Sequence, residues 1–171
     1  MGNLLFSPNG RIGPQRFLKG AIIIGVIGAL LCLTGFLNVM IFAFAIILAC
    51  LLVIPFILMG IKRAHDAGKS GWFNLVYVVI GLVVYFALTF VLTLIGLAPS
   101  TAEQLASQER LEEVQGSGDI AEVMAVMNDV MGPLIIPTAL VFLLTPVIAA
   151  FVANLISKQD PHENQYGLVP S

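Results

Sequence analysis

Long apolar stretches without charged residues are the main feature of this chain. They cover residues 20–61, 70–102 and 130–157. Crossing about 30 Å of hydrocarbon takes about 20 apolar residues in a helix. The first stretch is therefore long enough for two transmembrane helices, and each of the others holds one. This pattern predicts four transmembrane helices, at about residues 15–34, 38–61, 72–97 and 133–157.

The polar segment 99–131, between the third and fourth helices, predicts a helical insertion. The sequences "STAE" and "DIAE" have the spacing of a capping box, in which side chains satisfy free N–H groups at a helix start. In the second piece, apolar residues recur at helical spacing, which favours an amphipathic helix lying on the membrane or capping the bundle. Those residues are Ile120, Val123, Met124, Met127, Val130 and Met131.

Composition agrees with the hydropathy pattern. The chain is 58% hydrophobic and 11% charged, with a mean hydropathy of +0.99, whereas a soluble domain carries about 25% charged residues. The apolar runs are continuous and do not alternate, unlike the strands of a membrane β-barrel. We therefore predict an all-α integral membrane protein, a single membrane domain over 1–171. Its polar tail, 158–171, contains no further span.

The basic residues predict the orientation. Seven of the eight lie at the ends of helices on one side of the predicted bundle, and the other side has only Arg110 among seven acidic residues. Lys and Arg favour the cytoplasmic side of a membrane. The acidic segment is therefore expected outside, and both termini and the 62–69 loop inside. Asn3 and Ser171 are expected to be cytoplasmic, and Ser117 external.

The sequence "GIKRAHDAGKSGWF", residues 60–73, concentrates the candidate chemistry. It is not a P-loop, because that motif needs glycine five positions before Gly68, where Arg63 stands. The His65-Asp66 dipeptide alone offers too few ligands for a closed metal site. A structural role is favoured: Lys62 and Arg63 meet the negative end of a helix dipole, Ser70 caps the third helix and Trp72 joins an aromatic belt.

Other candidate groups have simpler structural explanations. Cys32 and Cys50 fall on separate predicted helices and are expected to be packing residues, not a disulfide. Met124, Met127 and Met131 could bind Cu(I) as thioethers, but an apolar helix face accounts for them. Apart from Arg16 and Lys19 near the start of the first helix, no charged residue lies inside a predicted span, which disfavours a proton-coupled pump. We predict no cofactor, no metal site and no catalytic residue.

Three motifs resemble a known family. "KRAHDAGKSGWF" is similar to the signature R-R-L-H-D-x-x-x-S-G-W-W of the small bacterial inner-membrane family called domain of unknown function 805. "GRIGPQRF" and "ENQYG" resemble its N-terminal and C-terminal motifs. The matching residues are Arg11, Arg63, His65, Asp66, Ser70, Gly71, Trp72, Asn164, Tyr166 and Gly167.

The chain also departs from the family pattern, and the family carries no established reaction. Pro14 stands where a second basic residue is common, Leu18 replaces a tryptophan, and the insertion at 99–131 is longer than the usual turn. The resemblance implies a multi-pass protein of the bacterial inner membrane.

The predicted topology brings all three motifs to the cytoplasmic face. We therefore expect one polar cluster there, in which two arginines beside one carboxylate leave positive charge for an acidic headgroup or partner segment. His65 is expected to support it by hydrogen bonding. The alternative is that each motif anchors its own helix end. The predicted cluster consists of Arg11, Arg63, His65, Asp66, Ser70, Trp72, Asn164 and Tyr166.

Two function classes remain open. The favoured one is a non-enzymatic scaffold or accessory protein that binds a partner or lipid through its cytoplasmic face. The alternative is a small oligomeric transporter or channel, in which helices kinked at Pro55 and Pro146 line a path. The candidate partners are the bilayer, an anionic lipid, a protein or further copies of the chain. Nothing in the sequence points to nucleic acid.

Overall fold

The computed structural model describes residues 9–116 and 119–170, and most of that part of the chain is helical. Four segments are long and apolar enough to cross a membrane, which confirms the predicted all-α membrane fold. Asn3, Ser117 and Ser171, whose sides of the membrane are predicted from the charges, lie outside the described residues. The helices are α1 (Pro14–Leu33), α2 (Val39–Leu51), α3 (Val53–Asp66), α4 (Asn74–Leu94), α5 (Thr101–Gln115), α6 (Ile120–Met131) and α7 (Ile135–Ile156).

The second span is broken into two helices, α2 and α3, at Leu52. Together they form one candidate span, Val39–Asp66, where the sequence pattern predicts a single helix at 38–61. Pro55 accounts for the break, because proline has no N–H to donate and its ring clashes with the carbonyl four residues earlier, here that of Leu51. Asn38 caps the start of this span by accepting a hydrogen bond from the N–H of Met40 at 2.7 Å.

Helix α3 continues to Asp66, five residues beyond its predicted end. Gly68 then turns the chain with a φ of 69°. The N–H groups of Gly68 and Lys69 bond to the carbonyls of His65 and Ala64, the usual pattern of a glycine-terminated helix. The charged residues predicted to lie in a loop are therefore on the last two turns of a helix, where the bundle can bury them.

Helix α4 is shorter than predicted at both ends. A 3-10 turn at Gly71–Phe73 precedes it, and Ser70 makes no side-chain capping bond, so the predicted cap is wrong. The helix stops before Gly96, whose φ of 71° allows the N–H of Leu97 to reach the carbonyl of Leu92.

The insertion forms the two helices that the capping spacing predicted. Glu103 accepts a hydrogen bond from the N–H of Ser100 at 2.7 Å, and Ser100 caps α5 in return. Asp119 caps α6 by accepting from two backbone N–H groups. An exposed ion pair between Arg110 and Asp129, 2.9 Å long, joins the two helices.

Helices α1 and α7 pack antiparallel at very close range. A Cβ atom on Gly25 would lie 2.4 Å from the carbonyl oxygen of Leu143, and one on Gly28 would lie 3.2 Å from Cβ of Phe142. Only glycine allows this approach. The packing brings the start of α1 and the end of α7 together. The N–H of Ile12 bonds to the backbone carbonyl of Lys62 of α3 at 3.3 Å. We call the end of the bundle that contains the start of α1, the end of α3 and the end of α7 the terminal end. The opposite end, which contains α5 and α6, is the far end.

Candidate functional site

Two arginines share one carboxylate at the terminal end. Asp66 is the last residue of α3, and its side chain is fully buried. Its Oδ1 accepts a hydrogen bond from Nε of Arg11 at 3.2 Å, and its Oδ2 accepts from Nη1 of Arg63 at 2.6 Å. Both arginine side chains are only 1% exposed. The structure thus brings together three residues that the motifs singled out, from two distant parts of the sequence.

Arg63 connects this carboxylate to the end of α7. Its Nε donates to Oδ1 of Asn154 at 2.8 Å, and its Nη2 donates to the carbonyl of Ser157. Asn154 in turn donates to the carbonyl of Pro14 at 3.0 Å, and the hydroxyl of Tyr77 donates to Ser157 Oγ at 2.7 Å. Groups from all four spans therefore meet here. We call the set Arg11, Arg63, Asp66, Asn154 and Ser157 the arginine cluster.

Arg11 fastens the C-terminal tail to the bundle. Its guanidinium donates to the carbonyl oxygens of Asp160 at 2.6 Å, His162 at 2.7 Å and Gly167 at 3.2 Å. It also reaches the carbonyl of Asp66 at 3.3 Å, and the N–H of Asp160 donates to that carbonyl at 2.8 Å. One side chain thus fixes the path of the tail, because a guanidinium presents five donors in a rigid plane.

The remaining motif residues join the tail to the end of α3. Asn164 donates to the carbonyl of His65 and to Oδ2 of Asp160, both at 3.2 Å, and accepts from the N–H of Tyr166 at 3.0 Å. The rings of His65 and Tyr166 stack with centroids 3.9 Å apart. His65 Nδ1 lies 3.3 Å from the carbonyl of Gly10. The ring of His65 is thus held between the tail and the residue that precedes Arg11, and its supporting role stays a prediction.

Ser70 and Trp72 lie outside the arginine cluster. The carbonyl of Ser70 accepts from the N–H of Phe73 at 3.0 Å, which closes the turn before α4. Trp72 is 79% exposed. Beside them, the ammonium of Lys69 lies 3.6 Å from the centroid of the Phe73 ring. These residues shape the α3–α4 turn, and no hydrogen bond joins their side chains to the described part of the tail, residues 158–170.

The charged groups of the arginine cluster form their hydrogen bonds with other groups of the chain. Burying charges is costly unless hydrogen bonds satisfy them, and here carboxylate, amide and carbonyl oxygens accept from both guanidinium groups. The two arginines therefore face acceptors within the chain, not the surroundings, in contrast to the surplus charge predicted for an outside ligand. On the tail, the N–H of His162 and the amide of Asn164 hold the pKa of the Asp160 carboxyl below its usual value.

The sequence reasoning missed Asn154, Ser157, Tyr77 and Asp160. Asn154 did carry a signal, because it is the only amide side chain in the apolar stretch 130–157. A lone amide there needs a partner, and the partner is Arg63. Ser157 accepts the hydrogen bond from Arg63 with its backbone carbonyl, and because every residue has a carbonyl, the sequence gives no sign of this contact.

A comparison with family profiles identifies the chain. The profile described as "Protein of unknown function (DUF805)" matches residues 5–168, which include all three motifs and the arginine cluster. Neither the comparison with curated proteins nor that with solved structures found a match. Because the profile extends over nearly the whole chain, the protein belongs to the DUF805 family, whose function is unknown.

Proposed function

We propose that this protein is a non-enzymatic scaffold or accessory protein of the bacterial inner membrane, which binds a protein partner through the terminal end of its bundle. The observation that carries the proposal is the attachment of the tail by Arg11. Its guanidinium uses three tail carbonyls and the Asp66 carboxylate, so the tail is part of the folded surface. A tail held in this way presents fixed side chains to a partner.

The residues that the tail presents are suited to contact. Leu168 is 74% exposed and Val169 is 41% exposed, while the His162 side chain is 87% exposed. They flank the turn in which the N–H of Gly167 bonds to the carbonyl of Asn164 at 2.9 Å. Exposed apolar side chains on an ordered surface favour protein association, because a partner can bury them without first ordering the chain.

The chemistry of the cluster supports a role other than catalysis. A guanidinium is not deprotonated in proteins, and both oxygens of Asp66 already accept hydrogen bonds from arginines. A general base must reach a substrate proton, but Asp66 is fully buried. The ring of His65 is covered on one face by Tyr166.

The charge distribution supports a cytoplasmic position for the terminal end. Arg11 and Arg63 are occupied by internal acceptors, so they contribute little to contacts with lipid. Basic residues at this end nevertheless remain more numerous than at the far end, where Arg110 is paired with Asp129. Besides Arg11, whose side chain is 1% exposed, those with an exposed or half-exposed residue surface are Arg16, Lys19, Lys69 and Lys158. This asymmetry agrees with the preference of Lys and Arg for the cytoplasmic side.

Crosslinking in native membranes tests the proposal. A photoreactive residue at position 168 should give one saturable crosslinked protein, and one at position 162 should give the same protein. When the Leu168→Ser, Val169→Ser variant is probed from position 162, this crosslink should be lost. The matched control is Leu155→Ser, an exposed apolar residue on α7 rather than on the tail. An unchanged crosslink in the tail variant would contradict a partner site on the tail.

The transporter alternative is separated by a flux measurement. Purified protein in liposomes should give no saturable solute flux if it is a scaffold. Specific, saturable flux that requires the folded protein would overturn the proposal and favour the small oligomeric transporter or channel.

A further inference from the structure

We propose that an anionic phospholipid binds to the side of α1, with its phosphate at Arg16 and Lys19. An acyl chain of the same lipid would lie on the apolar surface of the helix beyond these two cations. This inference goes beyond the proposed function, because the surface is on the membrane-facing side of α1 and not on the tail.

Arg16 and Lys19 are available to an outside ligand, unlike the arginines of the cluster. Both residues are exposed, whereas Arg11 and Arg63 have 1% exposed side chains. Three positions apart, they share one face of the first two turns of α1. Phe17, which is fully buried, points to the opposite side and fixes the rotation of the helix. The two cations therefore project together away from the bundle.

The surface that follows them along the helix is apolar and exposed. Val26 and Ile27 are each 41% exposed and Leu30 is 59% exposed. Val26 and Leu30 follow Lys19 by seven and eleven residues, so they lie on the same face of α1. The rise from Lys19 to Leu30 is roughly 16 Å at 1.5 Å per residue. That is about half of the 30 Å hydrocarbon core, the depth that one acyl chain reaches from its headgroup.

The charge around the two cations selects a negative headgroup. Helix α1 contains no acidic residue, and no side chain caps its first N–H groups. The positive end of the helix dipole therefore adds to Arg16 and Lys19. Each basic residue near an anionic surface strengthens association about fivefold, so the pair is expected to contribute roughly 25-fold. A zwitterionic headgroup has no net charge to gain from this arrangement.

Native mass spectrometry of the full-length protein tests the inference. The protein in neutral detergent is mixed with dioleoylphosphatidylglycerol or dioleoylphosphatidylcholine, and the bound fractions are compared. We expect a preference for the anionic lipid of roughly 25-fold. The double variant Arg16→Gln, Lys19→Gln should lower it to near one, whereas Arg16→Lys, Lys19→Arg should retain it. Lys158→Gln, which removes one cation at the same end, is the control and should change the preference little.

Two further measurements distinguish a lipid site from a site for a free anion. For the wild type, added salt should reduce the preference, and inorganic phosphate at equal concentration should not displace the lipid, because phosphate lacks the acyl contact. Displacement by phosphate would indicate an anion site without a lipid. Equal binding of the two lipids to the wild type, or an undiminished preference in the Gln variant, would overturn the proposal. The tail crosslink reports the proposed function separately, since neither Arg16 nor Lys19 lies on the tail.

Discussion

The imidazole ring of His65 lies flat against the phenol ring of Tyr166, with an angle of 4° between the two planes. His65 is on the last turn of α3, and Tyr166 is in the tail. Ring stacking at Tyr166 thus adds to the hydrogen bonds that attach the tail, among them those from Arg11 to three of its carbonyls and from Asn164 to the carbonyl of His65. The conformation of the tail therefore depends on how α3 ends.

Replacing Tyr166 by Ala should loosen the tail. Stacked aromatic pairs contribute about 0.5–1.5 kcal/mol beyond their buried area. The N–H of Gly167, which bonds to the carbonyl of Asn164 at 2.9 Å, should then exchange with solvent several-fold faster. Hydrogen–deuterium exchange of the tail measures this effect. Tyr166→Phe keeps the stacking ring and should behave as wild type. Unchanged exchange in the Ala variant would show that the stacking does not stabilise the tail.

Substitutions at Arg11 and Asp66 should be strongly coupled. Arg11→Ala leaves Asp66 paired with Arg63 alone, whereas Asp66→Ala leaves two buried guanidinium groups without their carboxylate. Breaking a buried charge pair costs about 3–5 kcal/mol. In the double variant Arg11→Ala, Asp66→Ala only Arg63 remains without the carboxylate, so the loss should be smaller than the sum of the two single losses. The coupling energy should therefore fall in the range of about 0.5–3 kcal/mol found for contacting residues. Thermal unfolding in a neutral detergent gives the four stabilities of the cycle.

The exposed ion pair of Arg110 with Asp129 is the matched control for this cycle. Its side chains are 57% and 63% exposed, and exposed pairs contribute about 0–1 kcal/mol. Strictly additive losses at Arg11 and Asp66 would mean that the buried contact is not energetically important.

The spans were predictable because hydrophobicity over about 20 residues is a property of the sequence alone. The end of α3 was not, since Lys62, Arg63 and Asp66 have the composition of a loop. Their burial depends on partners elsewhere in the chain. A charged residue enters the interior of a protein only where its hydrogen bonds are satisfied.

The motifs led to Arg11 and Asp66 but not to the way in which Arg11 holds the tail. Four of its acceptors are backbone carbonyls, and the three in the tail are those of Asp160, His162 and Gly167. Every residue has a carbonyl, so the acceptors are selected by the path of the chain and not by residue type. Gly167 is the partial exception, because its φ of 124° favours glycine.

The order of the tail should depend on pH through Asp160. Hydrogen bonds from the N–H of His162 and the amide of Asn164 lower its pKa in the folded state. Folding thus favours the charged form of Asp160. The stability that this carboxylate gives the folded tail is fully present above its unfolded pKa of about 3.9. That stability is lost as the pH falls through the lower pKa of the folded state. Hydrogen exchange of the His162 amide should accelerate over that acidic window, and Asp160→Asn should flatten the dependence. A pH-independent exchange difference between the two proteins would contradict this assignment.

A Cβ atom at Gly25 should separate α1 from α7. The obstructing atom is a backbone oxygen of Leu143, 2.4 Å away, which cannot rotate aside as a side chain would. Overpacking of this kind costs about 1–3 kcal/mol, so Gly25→Ala should lower the melting temperature in detergent. Gly81 on α4 is the matched control, because nothing lies within 4 Å of its Cβ position. Gly81→Ala should be neutral or stabilising by about 0.5–1 kcal/mol. Equal melting temperatures for the two variants would contradict the close packing.

The proposed orientation predicts which exposed cysteines react from outside the cell. Position 66 is unsuitable as a probe, since Asp66 is buried. His162→Cys on the tail and Glu109→Cys on α5 replace exposed residues, in a background in which Cys32 and Cys50 are Ala. An impermeant thiol reagent applied to spheroplasts with an intact inner membrane should label position 109 and leave position 162 unlabelled until the membrane is opened. The reverse pattern would place the terminal end outside, and labelling of both positions would contradict the four-span topology.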